Sequence, residues 1–108
     1  TSEIIDFINN NLSNKDLGVP MICDHVNLSS TKLSRDFKST TGETISKYIQ
    51  YRRIELAKEM LNNTNRSINE IADQVGYDYT VSFIRAFKRH EKMTPSEYRS
   101  LHNGGTNI

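Results

Sequence analysis

A short segment of this chain occurs twice, and any fold must accommodate both copies. Val19-Pro20-Met21-Ile22-Cys23-Asp24-His25-Val26-Asn27 aligns with Ile68-Asn69-Glu70-Ile71-Ala72-Asp73-Gln74-Val75-Gly76 at a constant offset of 49. Apolar positions pair (Val19/Ile68, Ile22/Ile71, Val26/Val75), as do a small residue (Cys23/Ala72) and an acid (Asp24/Asp73). At the end Asn27 matches Gly76, the two residue types that best tolerate positive φ. One residue is inserted in the second copy. Leu33-Ser34-Arg35-Asp36-Phe37-Lys38 then matches Phe83-Ile84-Arg85-Ala86-Phe87-Lys88 at offset 50. Two copies are too few for a solenoid, which needs three or more to bury a continuous core. The repeat therefore predicts two similar lobes.

The second copy shows what each lobe contains. Ser67-Ile68-Asn69-Glu70 is an S-x-x-E capping box, which marks a helix start. Ile68, Ile71, Ala72 and Val75 recur at i, i+3, i+4 and i+7, giving that helix one apolar face. Gly76 ends it, because glycine takes the left-handed conformation a helix C-terminus often needs. Asp78 is the expected cap of the next helix. There Phe83 and Phe87 stack at i, i+4, while Val81, Ile84, Arg85 and Lys88 share another face. A short helix, a glycine turn, then a helix with one buried and one basic face is the pattern of a helix-turn-helix. An ordinary helical hairpin has the same periodicity. The duplication favours two reading heads for a long duplex.

Read in order, Ile4, Ile5, Ile8 and Leu12 predict a first amphipathic helix, followed by a loop at Ser13-Asn14-Lys15. Gly18 is the N-cap of a second helix, with Pro20 in its first turn. That helix runs to Val26, and Leu28 packs under the turn. Ser29-Ser30 opens a third helix to about Ser39, with Leu33 and Phe37 inward and Thr31, Ser34, Arg35 and Lys38 outward. Gly42 stops it. Thr44 caps the longest helix, through about Asn62, with a buried stripe of Ile45, Tyr48, Ile49, Leu56, Ala57, Met60 and Leu61. Such a helix spans roughly 28 Å, near the ~34 Å between successive major-groove faces of a duplex. Thr94-Pro95-Ser96-Glu97 is a second capping box with proline at N1. It starts a last helix whose Tyr98 and Leu101 close the second lobe. His102 to Ile108 reads as a frayed tail. The predicted fold is all-α, with seven helices. Two helix-turn-helix lobes at 1–43 and 63–101 are joined by a linker helix at 44–62, and 102–108 is a flexible tail.

Net charge is only +1, but it is unevenly spread. Residues 1–28 carry net −3 and residues 63–78 net −2, whereas 29–62 and 79–108 each carry +3. Positive charge thus lies on the segments holding the second helix of each copy. There it can attract phosphate within a screening length of roughly 10 Å at 0.1 M salt. Signals for other chemistry do not occur. His25, His90, His102 and Cys23 lack zinc-site spacing. There is no glycine-rich phosphate loop, and Glu55 and Glu59 sit on a solvated helix face among lysines. No catalytic residue, metal or cofactor is expected. A single cysteine excludes an internal disulfide, and Cys23, matching Ala72, reads as a small buried residue. No apolar run reaches the ~18 residues of a membrane span, and no signal peptide is visible. Starting without Met, directly at a helix, the chain reads as a fragment whose preceding domain is absent.

These motifs resemble the DNA-binding domain of the AraC/XylS transcription regulators. The resemblance rests on Leu33-x-x-x-Phe37-Lys38 followed by Thr41-Gly42, and on Tyr48 with Arg53, Ala57 and Leu61. It rests further on Ile68-x-x-Ile71-Ala72-x-x-x-Gly76-Tyr77, and on Phe83-x-Arg85-Ala86-Phe87-Lys88-Arg89 leading to Thr94-Pro95-Ser96-x-Tyr98-Arg99. It covers about Ile4 to Arg99. The chain departs from the family at Tyr77, usually Phe, at Ser82, usually aromatic, and at Lys92, usually Gly. The last departure leaves the end of its helix open.

Groove chemistry then names the candidates. Arg35 and Arg85 suit bidentate contact with guanine. Thr31 and Ser34 add hydrogen bonds in the first groove and Thr80 in the second, with Val81 and Ile84 against thymine methyls. Ser30, Lys32, Lys38, Lys88 and Arg89 are the candidate phosphate contacts, which position the protein and make binding salt-dependent. Arg53 falls near the buried stripe, and the resemblance implies a structural role tying the lobes. The expected function is sequence-specific binding of double-stranded promoter or operator DNA by a bacterial regulator, with two recognition helices in successive major grooves. The resemblance further implies an activator, RNA polymerase as a partner and an effector sensed by the absent N-terminal domain. It implies a cytoplasmic, nucleoid-associated location. The rival readings are a helical protein–protein adaptor and the targeting domain of a larger DNA-modifying protein.

Overall fold

The computed structural model describes residues 2–103, and among them it contains seven α-helices and no strand. The helices are α1 (Ser2–Asn10), α2 (Val19–Val26), α3 (Ser30–Thr41), α4 (Ile45–Asn63), α5 (Ile68–Gln74), α6 (Thr80–Glu91) and α7 (Pro95–Asn103). They form two compact units. The first ends at Arg52 and the second begins at Arg53, so the boundary falls inside α4.

The core of the first unit is Ile4, Ile8, Leu12, Leu17, Ile22, Leu33, Phe37, Ile45 and Ile49, all buried. Ile5, expected with them, is half-buried, and so is Cys23. Gly18 is the N-cap of α2 and Pro20 lies in its first turn, as expected. The helix ends at Asn27, which takes a φ of 57° and donates its N–H to the Cys23 carbonyl at 2.8 Å. Ser29 then caps α3, its Oγ accepting from the Lys32 N–H at 3.2 Å. α3 continues past Ser39 to Thr41, where Gly42 stops it at a φ of 82°.

The second unit buries Ile54, Ala57 and Leu61 of α4 against Ile71, Ala72 and Val75 of α5, Phe83, Ala86 and Phe87 of α6, and Tyr98 of α7. Ile54 lies outside the stripe the sequence suggests, whereas Tyr48, Leu56 and Met60 within that stripe are only half-buried. The reason is register. Ile45 and Ile49 are one turn apart, and Ile54, Ala57 and Leu61 keep helical spacing among themselves, but five residues separate Ile49 from Ile54. α4 therefore carries two short stripes, one for each unit, instead of one long one.

Caps define the helix ends of this unit. At α5 the Ser67 Oγ accepts from the Glu70 N–H at 3.1 Å, and a Glu70 carboxylate oxygen accepts from the Ser67 N–H at 2.9 Å. Thr94 and Glu97 repeat the exchange at α7, at 3.1 and 2.8 Å. Gly76 takes a φ of 97°, donating to the Asp73 carbonyl while Tyr77 donates to that of Ala72. These paired bonds satisfy the carbonyls at the end of α5.

Three expectations are corrected here. Asp78 does not cap α6; the N-cap is Tyr79, whose side chain makes no cap hydrogen bond. Asp78 is the inserted residue of the second copy and sits one position too early. Leu101 does not close the lobe, being 66% exposed; Tyr98 is buried there, as is Pro95 at the start of α7. The tail does not begin at His102, because α7 includes His102 and Asn103. The His102 ring stacks on that of Tyr98 at 4.1 Å and its Nδ1 lies 3.0 Å from the Tyr98 carbonyl, which holds this turn helical. The rest of the expected tail, residues 104–108, lies outside the described residues.

Candidate nucleic-acid interface

The repeat runs further in three dimensions than in the sequence match. Phe37 and Tyr48 meet edge to face at 5.6 Å and 67°, and Phe87 and Tyr98 do so at 5.5 Å and 75°, both pairs 50 residues apart in numbering. Gly42 and Lys92 end their helices in the same left-handed way, and Thr44 and Thr94 begin the next ones. The start of α4 thus plays in the first unit the part that α7 plays in the second. Two internally similar heads follow, with α3 and α6 as their equivalent helices.

On α3, Leu33 and Phe37 are fully buried, and this fixes which residues face solvent. Ser30, Thr31, Lys32, Ser34, Arg35 and Lys38 are all exposed. Thr31, Ser34, Arg35 and Lys38 share one face by their spacing. Lys32 pairs with Asp36 at 3.2 Å on the surface, an i,i+4 ion pair weak enough to yield to phosphate. On α6, burial of Phe83, Ala86 and Phe87 leaves Val81, Arg85, Lys88 and Arg89 exposed. Thr80 is half-buried in the first turn, and Ile84 is partly packed against the core, so of the two expected methyl contacts Val81 is the freer. Ser82, which departs from the usual aromatic of the resembling family and is not among the sequence candidates, is exposed beside them. The side chains of Arg35, Lys38, Arg85 and Arg89 make no hydrogen bond or ion pair with the described residues.

Other charged groups are held in the fold. The Arg53 guanidinium lies over the Tyr77 ring at 5.8 Å, within the second unit. Burial lowers its pKa, partly offset by the charges of Tyr77 and Asp78. Lys58 bridges Glu55 at 3.0 Å and Glu91 at 3.4 Å, tying α4 to the end of α6. Arg99 donates to the carbonyls of Leu61 and Thr64 at 3.3 and 3.2 Å, closing the end of α4. Backbone N–H donation from Ser67 and from Thr94 holds the Glu70 and Glu97 carboxyls below their usual pKa, with smaller help from Arg66 and Lys88 respectively. Among the described residues no group of three His, Cys, Asp or Glu is placed to hold a metal ion. No helix among them is long and apolar enough to cross a membrane.

Comparison with known proteins follows the same lines. Residues 22–100 match the family described as "Helix-turn-helix domain". The chain is 36% identical over 89 residues to the xylose operon regulatory protein of Escherichia coli, a match covering 82% of this chain and 23% of that protein. It is 33% identical over 96 residues to the regulatory protein SoxS of Salmonella typhimurium, covering 89% of each. Among solved structures, the C-terminal domain of AraT, a response regulator from Geobacillus stearothermophilus, matches with a TM-score of 0.91 at 32% identity, over 93% of this chain and 83% of that one. The chain thus spans about a quarter of the xylose regulator and most of SoxS.

Proposed function

We propose that this chain, which belongs to the AraC/XylS family of helix-turn-helix transcription regulators, binds double-stranded DNA with α3 and α6 each in a major groove, the two grooves in succession. The observation that carries this reading is the duplicated head, each with an exposed arginine at the same place, Arg35 and Arg85. Those two arginines read guanine; Thr31, Ser34, Thr80, Val81 and Ile84 read the neighbouring bases. Ser30, Lys32, Lys38, Lys88 and Arg89 hold phosphates. The basic last turn of α6 also complements the negative end of its helix dipole, a structural use that does not compete with phosphate contact.

The wider role is regulation of transcription at promoters, as an activator that engages RNA polymerase under control of an effector-sensing region elsewhere in the full-length protein. The xylose operon regulatory protein, four times the length of the matched segment, supports this by its name and size. The role is one of binding, without catalysis, in the cytoplasm where the DNA lies.

Selection from a random duplex pool tests the reading. Two short boxes about one helical turn apart are expected. Arg85→Ala then loses roughly 1–3 kcal/mol at the selected site and relaxes one box, while Lys88→Ala weakens all duplexes alike and lowers the salt slope by about 1. No enrichment, with no retention on any duplex at low salt, would defeat it in favour of a protein–protein adaptor.

A further inference from the structure

The side chain of the residue that opens α6 makes no hydrogen bond or ring contact among the described residues. Tyr79 occupies the N-cap and makes no side-chain cap hydrogen bond. It is 73% exposed, and its ring and hydroxyl have no partner among the described residues. The equivalent position of the first unit, 50 residues earlier, is Ser29, whose hydroxyl caps α3. Serine is among the best N-cap residues, so helix stability alone favours serine at 79 as well. Nothing in the backbone forbids it: φ and ψ are −69° and 156° at Ser29 and −131° and 137° at Tyr79, both extended. The second head thus forgoes a cap and presents a phenol to solvent, next to Thr80 and the exposed Val81.

Resting on the DNA-binding reading above, we propose that Tyr79 is itself a DNA contact. Its hydroxyl donates a hydrogen bond to a backbone phosphate oxygen at the wall of the groove that α6 enters. In a helix-turn-helix the N-terminal residues of the recognition helix are those that meet the DNA, and tyrosine is among the donors that hold phosphate oxygens. Tyr79 directly precedes α6, in which Val81 and Arg85 are likewise exposed, so the contact falls on the helix already assigned to the groove. It sets the register of α6 and leaves base reading to Arg85 and Val81. Being neutral, tyrosine displaces no counterion, and this separates its signature from that of Lys88.

The test uses the 108-residue chain, its selected duplex and an arbitrary duplex, over a salt series. Tyr79→Phe removes only the hydroxyl and weakens both duplexes alike by about tenfold, with the salt slope unchanged. Tyr79→Ser shows the same loss of affinity while its unfolding midpoint rises, because the cap is restored as the contact is removed. Tyr79→Phe binding like the parent would overturn the proposal, whether or not Tyr79→Ser is weak. So would a loss confined to one base pair. Failure of the parent to bind any duplex would defeat the DNA-binding reading and this one together. Normal parental binding with an unaffected Tyr79→Phe would defeat this one alone.

Discussion

Gly42 and Lys92 stop the two equivalent helices with the same backbone and different side chains. Their φ values are 82° and 66°, and each donates its N–H to the carbonyl four residues back, Lys38 or Lys88, at 2.8 Å. A left-handed L-residue costs roughly 1–2 kcal/mol because its Cβ crowds the following carbonyl. Glycine escapes that cost but loses more backbone freedom on folding, by about 0.4–1 kcal/mol. The difference makes Lys92→Gly stabilising for the second unit by about 0.5–1 kcal/mol. Gly42→Lys destabilises the first unit by a similar amount. A Cβ built on Gly42 meets nothing within 4 Å, so the backbone alone sets that cost.

The chain has no tryptophan, so helical circular dichroism in urea is the natural assay. Thermal midpoints should move by about 4–8 °C for each 1 kcal/mol in a domain of this size. An unchanged urea slope would show that stability moved and not the compactness of the unfolded chain. Lys92→Ala is the control. It removes the charge but keeps the Cβ, so it should not reproduce the gain. Lys92→Gly no more stable than the parent, or Lys92→Ala equally stabilising, would refute the reasoning that the left-handed conformation is what Lys92 costs.

Acid titration gives another expectation. Glu70 and Glu97 have lowered pKa values in the folded chain because capped N–H groups hold their charged forms. Their stabilisation is therefore complete above the usual glutamate value of about 4.3 and is lost as pH falls through the lower folded values. The double variant Glu70→Gln, Glu97→Gln keeps the acceptors but not the titration. Its thermal midpoint should fall less steeply below about pH 4, and an unchanged acid limb would count against the caps as its source. Arg99→Ala should lose about 1–2 kcal/mol by removing charged donors from the Leu61 and Thr64 carbonyls. Urea denaturation checks this, and a loss near zero would mean water replaces both bonds.

Helix placement was legible because each helix announces itself locally. Ser67–Glu70 and Thr94–Glu97 carry their caps in four residues, and Asn27, Gly42 and Gly76 occupy their left-handed stops as their residue types suggest. What misled were features decided by more than one residue or more than one helix. Asp78 is a good capping residue at the wrong register. The stripe of α4 looks continuous in sequence because nothing local marks where one unit's core ends and the next begins, and that hides Ile54. His102 looks like the start of a polar tail until its ring is seen on Tyr98. The outward faces of α3 and α6 were readable because Leu33, Phe37, Phe83 and Phe87 fix their inward sides. Ile84 is less free than its spacing suggests, since a residue at the edge of a helical face can serve both sides.

The two heads carry the same arginine and lysine and differ at the residues beside them, and under the proposed reading this bears on the DNA they select. Arg35 matches Arg85 and Lys38 matches Lys88, so under the proposed reading each head has one candidate guanine contact and one candidate phosphate contact in the same place. Between them, however, Thr31 stands against Val81 and Ser34 against Ile84. At these two positions the proposed reading gives the first head hydroxyls for base edges and the second head methyl groups, which suit thymine, while Thr80 keeps a hydroxyl in the second head. Two boxes that share a guanine and differ beside it follow from this pairing, and an operator of two identical boxes would contradict it. Thr31→Val should relax one base pair of the first box by about 1 kcal/mol and leave the second box unchanged. Val81→Ala should do the converse. Quantitative binding to single-base variants of the selected site separates these outcomes. If either substitution altered both boxes together, the heads would not be reading independently, and the assignment of one box to each helix would fail.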